Sequence, residues 1–555
     1  MTKKLLGLSF IVSIFFISCE SDDIQNSSTD ESNDIFQKES DSEVLRSAVT
    51  TEGAGVLGIT TISGARNSKK KDVSEIGQIA LEQIATIDPP VLDGQAMRAN
   101  HVEIDGDYAY VAYTKEGATY LGGIDIIDIS NKFEPKVISR VTTNSADVNA
   151  LFYKENKIYF TGAYNDQTAD PVRAFYGTVE TAGGQFTSDF TAQKFSLGQA
   201  GVDILPFDSS FIAVSGSDGV IASYDSPDSN LKAEASYSDL RSAAYANGNL
   251  VALSGDNGLL VLDNQNLTIK KEIALSGLVA ESKRTMEFIG NLLMISEGAA
   301  GIGIYNTETW DLVTRLPINT IPDAEIAEGE KVTNAVSSLD QFILMANGGA
   351  GFGIARLDAT KALAEEGIIE IDGSANYVKA KGDYIFVASG TGGLRILKMS
   401  RPNVDNGAGE ETAPEFAECS SYEIYNEGPY FNVNSNEEKA YSGSATVLYL
   451  NVSDKLTYCG SLNVQNTANI NSNGEFNMNG SFAVGAVGKN LDLNINANSV
   501  LRIQGSVTVY GNLNLNSRST LEFVGNNSSI HIYGEVRKGQ NVTITGNYTD
   551  TSDKL

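Results

Sequence analysis

HVEIDGDYAYVAYTKEGATYLGGIDIIDISNKFEPKVISR, residues 101–140, holds a complete small sheet. A lead-in strand reaches a turn at Gly106-Asp107, an apolar strand covers 108–113, and a Gly-rich turn follows. A second apolar strand covers 123–129, and a closing strand starts at Lys136. In 108–113 and again in 124–129 apolar side chains fall on both faces, the pattern of a sheet covered on each side by another sheet. One such sheet cannot satisfy itself, so it needs neighbours of its own kind.

The neighbours recur along the chain. Second strands start at Ile158, Phe211, Leu250, Leu292, Phe342 and Tyr384, which with the first unit makes seven. Their spacing of roughly 40 to 50 residues suits propeller blades. In six units the third strand opens on glycine: Gly123, Gly219, Gly258, Gly301, Gly351 and Gly393. The unit after Ile158 departs, with a long polar insertion from Asn165 to about Gln193. The last unit has no outer strand, while the strand-like segment 77–87 stands unassigned before the first. That segment is therefore expected to complete the seventh blade and close a propeller over residues 76–400.

The wording Asp105-Gly106-Asp107-Tyr108-Ala109-Tyr110-Val111-Ala112, then Gly123-Ile124-Asp125-Ile126-Ile127-Asp128-Ile129-Ser130, then Pro135-Lys136-Val137, resembles the repeat of bacterial LVIVD-repeat β-propeller proteins. The likeness is close in the first blade, degenerate in the others, and covers about residues 77–400. It implies the fold. That family has no single chemistry, so the resemblance implies no activity.

Before the propeller, Lys3, Lys4, an apolar run over 5–17 and Ser18-Cys19 read as a secretory signal peptide, residues 1–18. The run is too short to span a bilayer comfortably. Phe16-Ile17-Ser18-Cys19 resembles the lipobox of bacterial lipoproteins, with Phe16 where Leu is commonest. That resemblance implies that Cys19 becomes the first mature residue and carries the lipid. Ser21-Asp22-Asp23 is similar to the acidic signal that sends Bacteroidetes lipoproteins to the outer face of the outer membrane. A lipid-anchored, surface-exposed protein of the outer membrane is the expectation. Residues 19–75 are rich in Ser, Asp and Glu and lack aromatics apart from Phe36, so a flexible tether is expected. Its apolar island at 54–62 either packs on the propeller or forms a transient strand.

A linker, 401–418, leads to a region of different composition, 419–548, in which charge thins and Asn rises. The phrases Gly460-Ser461-Leu462, Gly480-Ser481-Phe482, Gly505-Ser506-Val507 and Gly511-Asn512-Leu513 recur between short alternating strands. Strands with two or three inward residues, Gly/Asn corners and a repeat of roughly 20 to 25 residues suit a parallel β-solenoid. Asn tolerates left-handed corners and stacks into ladders. An antiparallel sandwich with tight Asn-Gly turns is the alternative. The fold class is thus all-β. Cys419 and Cys459 flank the start of the repeats, and in an oxidising compartment such a pair is expected to form a disulfide.

Lys+Arg total 40 against Asp+Glu 70, a net charge of −30. A surface this acidic repels phosphate backbones and excludes nucleic acid as a partner. No run has the spacing of a calcium loop. The two histidines, His101 and His531, lie in different domains, which excludes a multi-histidine metal site. His101, on an innermost strand, is expected to pack or to line the channel; His531, between Ile530 and Ile532, is expected to face solvent. The glycine runs near Gly298 and Gly348 lie between strands and are blade turns rather than phosphate loops. No catalytic residue, metal or cofactor is assigned.

One constellation is positional. Asn100, Asn149, Asp203, Arg241, Arg284, Asn334 and Asn376 open the innermost strands, with Arg98 and Asp147 beside the first two. In a closed ring these converge on one mouth of the axial channel. They bind a ligand there, or they are polar because channels hold water. The function expected is a non-enzymatic binding or scaffold module for a glycan, a protein partner or an envelope complex. The alternative is a carbohydrate-active enzyme using Asp147 with Asp203, since glycoside hydrolysis requires paired carboxylates.

Overall fold

The computed structural model describes residues 35–60, 79–165, 172–225, 229–276, 282–321, 325–400 and 421–555. Seven antiparallel sheets form a propeller, and a parallel solenoid follows. Blade 1 runs outward from the axis as Arg98–Asp105, Tyr108–Thr114, Gly122–Asp128 and Lys136–Thr143. Its two-faced pattern has the expected cause. Tyr110, Ala112, Ile124 and Ile126 pack with Val148 and Phe160 of blade 2. Ala109, Val111, Tyr113 and Ile127 pack the other way, against Phe386 and Leu394 of blade 7.

The ring closes through the N-terminal segment. Ala80–Ile87 pairs antiparallel with Leu394–Ser400 as the outer strand of blade 7, and all eight of its residues are buried. Ile79 and Leu81 pack towards blade 6, beside Leu344 and Ile354, whereas Ile84 and Ile87 pack towards blade 1. The glycine that opens the third strand has a steric reason here: Gly393 has φ +74, and a Cβ on it would lie 2.0 Å from the carbonyl oxygen of Ile87.

Two expectations are corrected. The stretch read as a polar insertion in blade 2 carries that blade's outer half: Ala174–Ala182 is its third strand and Thr191–Lys194 its fourth. The polar residues hid a strand whose Phe175 and Val179 reach the core. The expected tether, 19–75, is folded over residues 35–60. Gln37–Lys38 adds a strand to blade 1, Phe36 stacks on Phe190 at 4.5 Å, and a short helix, Ser42–Ser47, follows. Val49–Thr50 and Gly55–Val56 pair with the closing strand, so the apolar island does pack on the propeller. Residues 19–34 and 61–75, the signal peptide and the linker 401–418 lie outside the described residues.

Every strand pair of the C-terminal domain is parallel, which decides for the solenoid. One sheet of six strands faces a longer one across a core of Phe431, Val452, Leu462, Phe482, Ile495 and Val507. The recurring Gly-Ser phrases align in register: Gly443, Gly460, Gly480 and Gly505 stack turn upon turn. Gly480 has φ +131, and a Cβ there would lie 2.0 Å from the carbonyl oxygen of Gly460. Positive φ at Asn436, Asn473, Asn498 and Asn541 marks the expected corners. The ladder itself runs across strands of successive turns, Asn451 donating to Asn432 at 3.0 Å, Asn469 to Asn451 at 2.9 Å and Asn514 to Asn494 at 2.7 Å.

The solenoid covers the outer edge of blade 7. Thr446 donates to the carbonyl of Ile79 at 2.9 Å, Asn463 to that of Leu81 at 3.3 Å, and Tyr533 to that of Ile84 at 2.9 Å. Tyr510 donates to the buried carboxylate of Glu82 at 3.0 Å. An edge that would otherwise present unpaired backbone groups is thereby closed. His531 belongs to this junction and not to the solvent: it is 6% exposed and stacks on Phe133 of the propeller at 4.5 Å. The alternation rule put it outward correctly, but outward here means against another domain.

Candidate functional site

The mouth at which the innermost strands begin is built on a repeated irregularity. In blades 1 to 4 the innermost strand carries a β-bulge at one place, and the extra residues are Asn100, Asn149, Val202 and Arg241. A bulge re-aims a side chain, and these four line a chamber of about 690 Å³ together with Lys283, Asn334 and Asn376 of blades 5, 6 and 7. The collar thus takes one residue from each blade. Of the residues expected at the mouth, Asn100, Asn149, Arg241, Asn334 and Asn376 line this chamber. Where Asp203 and Arg284 were expected, the neighbouring Val202 and Lys283 line it. Asp203 lines the chamber below instead, and Arg284 lines neither chamber.

Four collar residues are asparagines with a mechanical task. Asn100 donates to the carbonyl of Val148, Asn149 to Gly201, Asn334 to Ala375 and Asn376 to Ala99, at 3.3, 2.9, 3.2 and 3.2 Å. Each bond clasps one blade to the next. No asparagine donates from blades 3 to 5, where Val202, Arg241 and Lys283 stand, although Oδ1 of Asn334 accepts from the backbone N–H of Lys283 at 3.2 Å and ties blade 5 to blade 6. Between blades 3 and 4 the Asp203 carboxylate substitutes, accepting from the backbone N–H of Ala243 at 2.9 Å.

Lys283 bars the channel. From blade 5 its ammonium reaches the carbonyls of Asn149 at 2.7 Å and Asn100 at 2.9 Å, and Nδ1 of His101 at 3.2 Å. It also lies 5.2 Å from the centre of the Tyr377 ring, on which His101 stacks at 4.0 Å. Burial lowers the Lys283 pKa and raises that of Asp203, its counter-charge. Burial, with Lys283 and Lys379 nearby, holds His101 well below its usual range, so the neutral imidazole accepts a hydrogen bond from the Lys283 ammonium. Below this bar a second chamber of about 350 Å³ is lined by His101, Glu103, Asp203, Glu287, Tyr377 and Lys379, among others.

The two carboxylates considered as a hydrolytic pair are set apart. Asp203 lines the lower chamber, with its oxygens on the N–H groups of Ile204 and Ala243. Asp147 lines neither chamber; it accepts from the N–H of Lys115 at 3.3 Å and of Leu121 at 3.2 Å, closing a loop of blade 1. Burial raises its pKa to about 6. Among the described residues no group of three or more His, Cys, Asp and Glu is placed to hold a metal. Arg98 does line the mouth, paired with Glu116 at 3.1 Å. Cys459 is disulfide-bonded; Cys419, its expected partner, and Cys19, Ser21, Asp22 and Asp23 lie outside the described residues.

The family comparison falls on two of the blades. The LVIVD repeat family matches residues 96–143 and 372–403, which are blade 1 and blade 7. The chain carries LVIVD repeats there. No curated protein matches. Among solved structures, the WD40 propeller domain of Doa1 is 13% identical with a TM-score of 0.41, over 57% of this chain and 96% of that one. The Neurospora crassa Pan2 WD40 domain is 9% identical with a TM-score of 0.42, over 58% and 96%. The computationally designed Ika8 protein is 11% identical with a TM-score of 0.38, over 63% and 98%.

Proposed function

We propose that this protein is a non-enzymatic binding module, held on the outer face of an outer membrane by a lipid on Cys19, whose ligand enters the upper mouth of the propeller. The observation that carries the reading is the broken collar. Four of its seven residues are consumed by clasps between blades and Lys283 by its bonds across the channel, while Arg241 stands at the mouth where no asparagine clasps. A mouth polar only to hold water has no need of that asymmetry. Its volume of about 690 Å³ lies in the usual range of ligand pockets, roughly 300–1,000 Å³. The ligand classes that suit an envelope protein are a glycan or a segment of a neighbouring envelope complex.

The test is capture of solubilised envelope material on the immobilised protein, wild type against Val202→Trp, which fills the mouth from a non-clasping position. Capture lost in the variant supports the mouth; equal capture by both rejects it. The anchor is tested separately. Cys19→Ser should release the protein from membranes, because among the described residues no helix is long and apolar enough to cross one. Replacing Asp22 and Asp23 with Ala should abolish labelling on intact cells while leaving lipidation intact; persistent labelling rejects the export signal.

A further inference from the structure

Arg284 was expected at the mouth and lies behind its wall. It is 1% exposed, the bulkiest of the fully buried side chains, and its Nε, Nη1 and Nη2 have no hydrogen-bond partner. A buried guanidinium with every donor idle is costly, and such groups are a feature to be explained rather than background. Its surroundings narrow the explanation. Burial and the neighbouring charge of Arg241 pull its pKa down to about 10, with Asp239 opposing. Asp239 is already engaged, pairing with Arg241 at 2.6 Å. Nη2 of Arg284 lies 3.2 Å from where a Cβ on Gly255 would sit, and that Cβ would also strike the Asp239 carboxylate. Glycine at 255 keeps this corner open. Arg241, which forms the chamber wall in front, has an idle buried Nε as well, and so does Arg98 across the mouth.

Two guanidinium groups therefore share one carboxylate beside a chamber whose own lining adds Arg98 and Lys283 against Glu116 and Glu330. On a chain of net charge −30, the Arg241–Arg284 corner carries one positive charge more than Asp239 balances, and its idle donors are Nε of Arg241 and the whole guanidinium of Arg284. We infer that the mouth chamber takes an anionic ligand, one bearing a carboxylate or phosphate group that Arg241 receives at the chamber wall, with the uncompensated charge of Arg284 standing behind it. Guanidinium groups present paired donors matched to either oxyanion. The inference rests on the mouth reading above and names the ligand's charge class.

The full chain is titrated with sodium phosphate and, separately, sodium glucuronate at matched ionic strength, with glucose as the uncharged control. Unfolding is followed through Trp310, the single tryptophan. The midpoint should rise by about 1–2 °C once an anion stands about tenfold above its Kd. Glucose should have no effect. Whichever anion acts at the lower concentration identifies the group as phosphate or carboxylate. Arg284→Met, which removes only the charge behind the wall, should weaken the response, yet in chloride alone it should unfold no earlier than wild type, since an unpaired buried charge is gone. Arg241→Gln, at the chamber surface, should weaken the response at least tenfold and serves if Arg284→Met fails to fold. An unchanged response in Arg241→Gln, or no response of wild type to either anion, overturns the inference. If Val202→Trp abolishes capture while neither anion acts, only the charge class is wrong. If anions act but capture survives in Val202→Trp, the anion site stands and the mouth is not where the partner binds.

Discussion

Leu81 and Ile84 hold the ring shut from opposite sides. Both are 0% exposed, but Leu81 belongs to the cluster shared with blade 6 and Ile84 to the one shared with blade 1. Truncating either to alanine removes buried methyl groups and leaves a cavity, at a cost of about 2–5 kcal/mol each. The two sites share no cluster, so the costs should add, to about 4–10 kcal/mol in Leu81→Ala/Ile84→Ala. Set against a typical stability of about 5–15 kcal/mol, the double variant should be near the edge of folding. The assay is urea unfolding followed by Trp310, which packs against the core between blades 4 and 5, far around the ring from the mutations. With a slope of about 3 kcal/mol per molar urea, each single variant should lower the midpoint by about 1 M. If Trp310 unfolds at the wild-type concentration in the double variant, the seventh blade does not couple to the rest and the closing strand is an ornament on an already stable ring.

Three further outcomes are expected. Gly480→Ala should sharply reduce soluble yield or bring a separate early unfolding step, because its Cβ would meet the Gly460 carbonyl at 2.0 Å; a wild-type melting curve would contradict the stacked-glycine account. His531, its pKa lowered to about 4 mainly by burial, stays neutral in the fold while the unfolded chain protonates near 6.5. Stability should therefore fall as pH drops from 6.5 towards 4, by about 3 kcal/mol in all, and His531→Gln should flatten that part of the profile measured by urea titration. Asn149→Ala removes a clasp and orphans the Gly201 carbonyl, which should cost about 1–2 kcal/mol; no loss in chemical unfolding would mean that collar asparagines are free for ligand.

What the amino-acid sequence determined by itself was everything periodic. Seven blades were countable because each needs apolar residues on both faces of its middle strands, and because glycine must stand where a third strand passes under a neighbouring carbonyl, as Gly393 passes under Ile87. The solenoid was legible from its Gly-Ser phrases, since each glycine stacks on the one a turn before. Even ring closure followed, because a strand without a partner and a blade without an edge imply one another. Tertiary structure decided what depends on a single residue's direction or on a distant surface. A bulge inserts one residue without changing composition, so Val202 could not be told from Asp203, and Lys283 stands before its strand begins, so no alternation told it from Arg284; only Val202 and Lys283 line the upper mouth. The polar segment 35–60 seemed unable to fold because its few apolar groups, Phe36, Val56 and Ile59, find their burial on blades far along the chain. His531 obeyed its alternation, but a strand's outward face is solvent only until another domain covers it, and Phe133, almost four hundred residues earlier, carries no local sign of doing so.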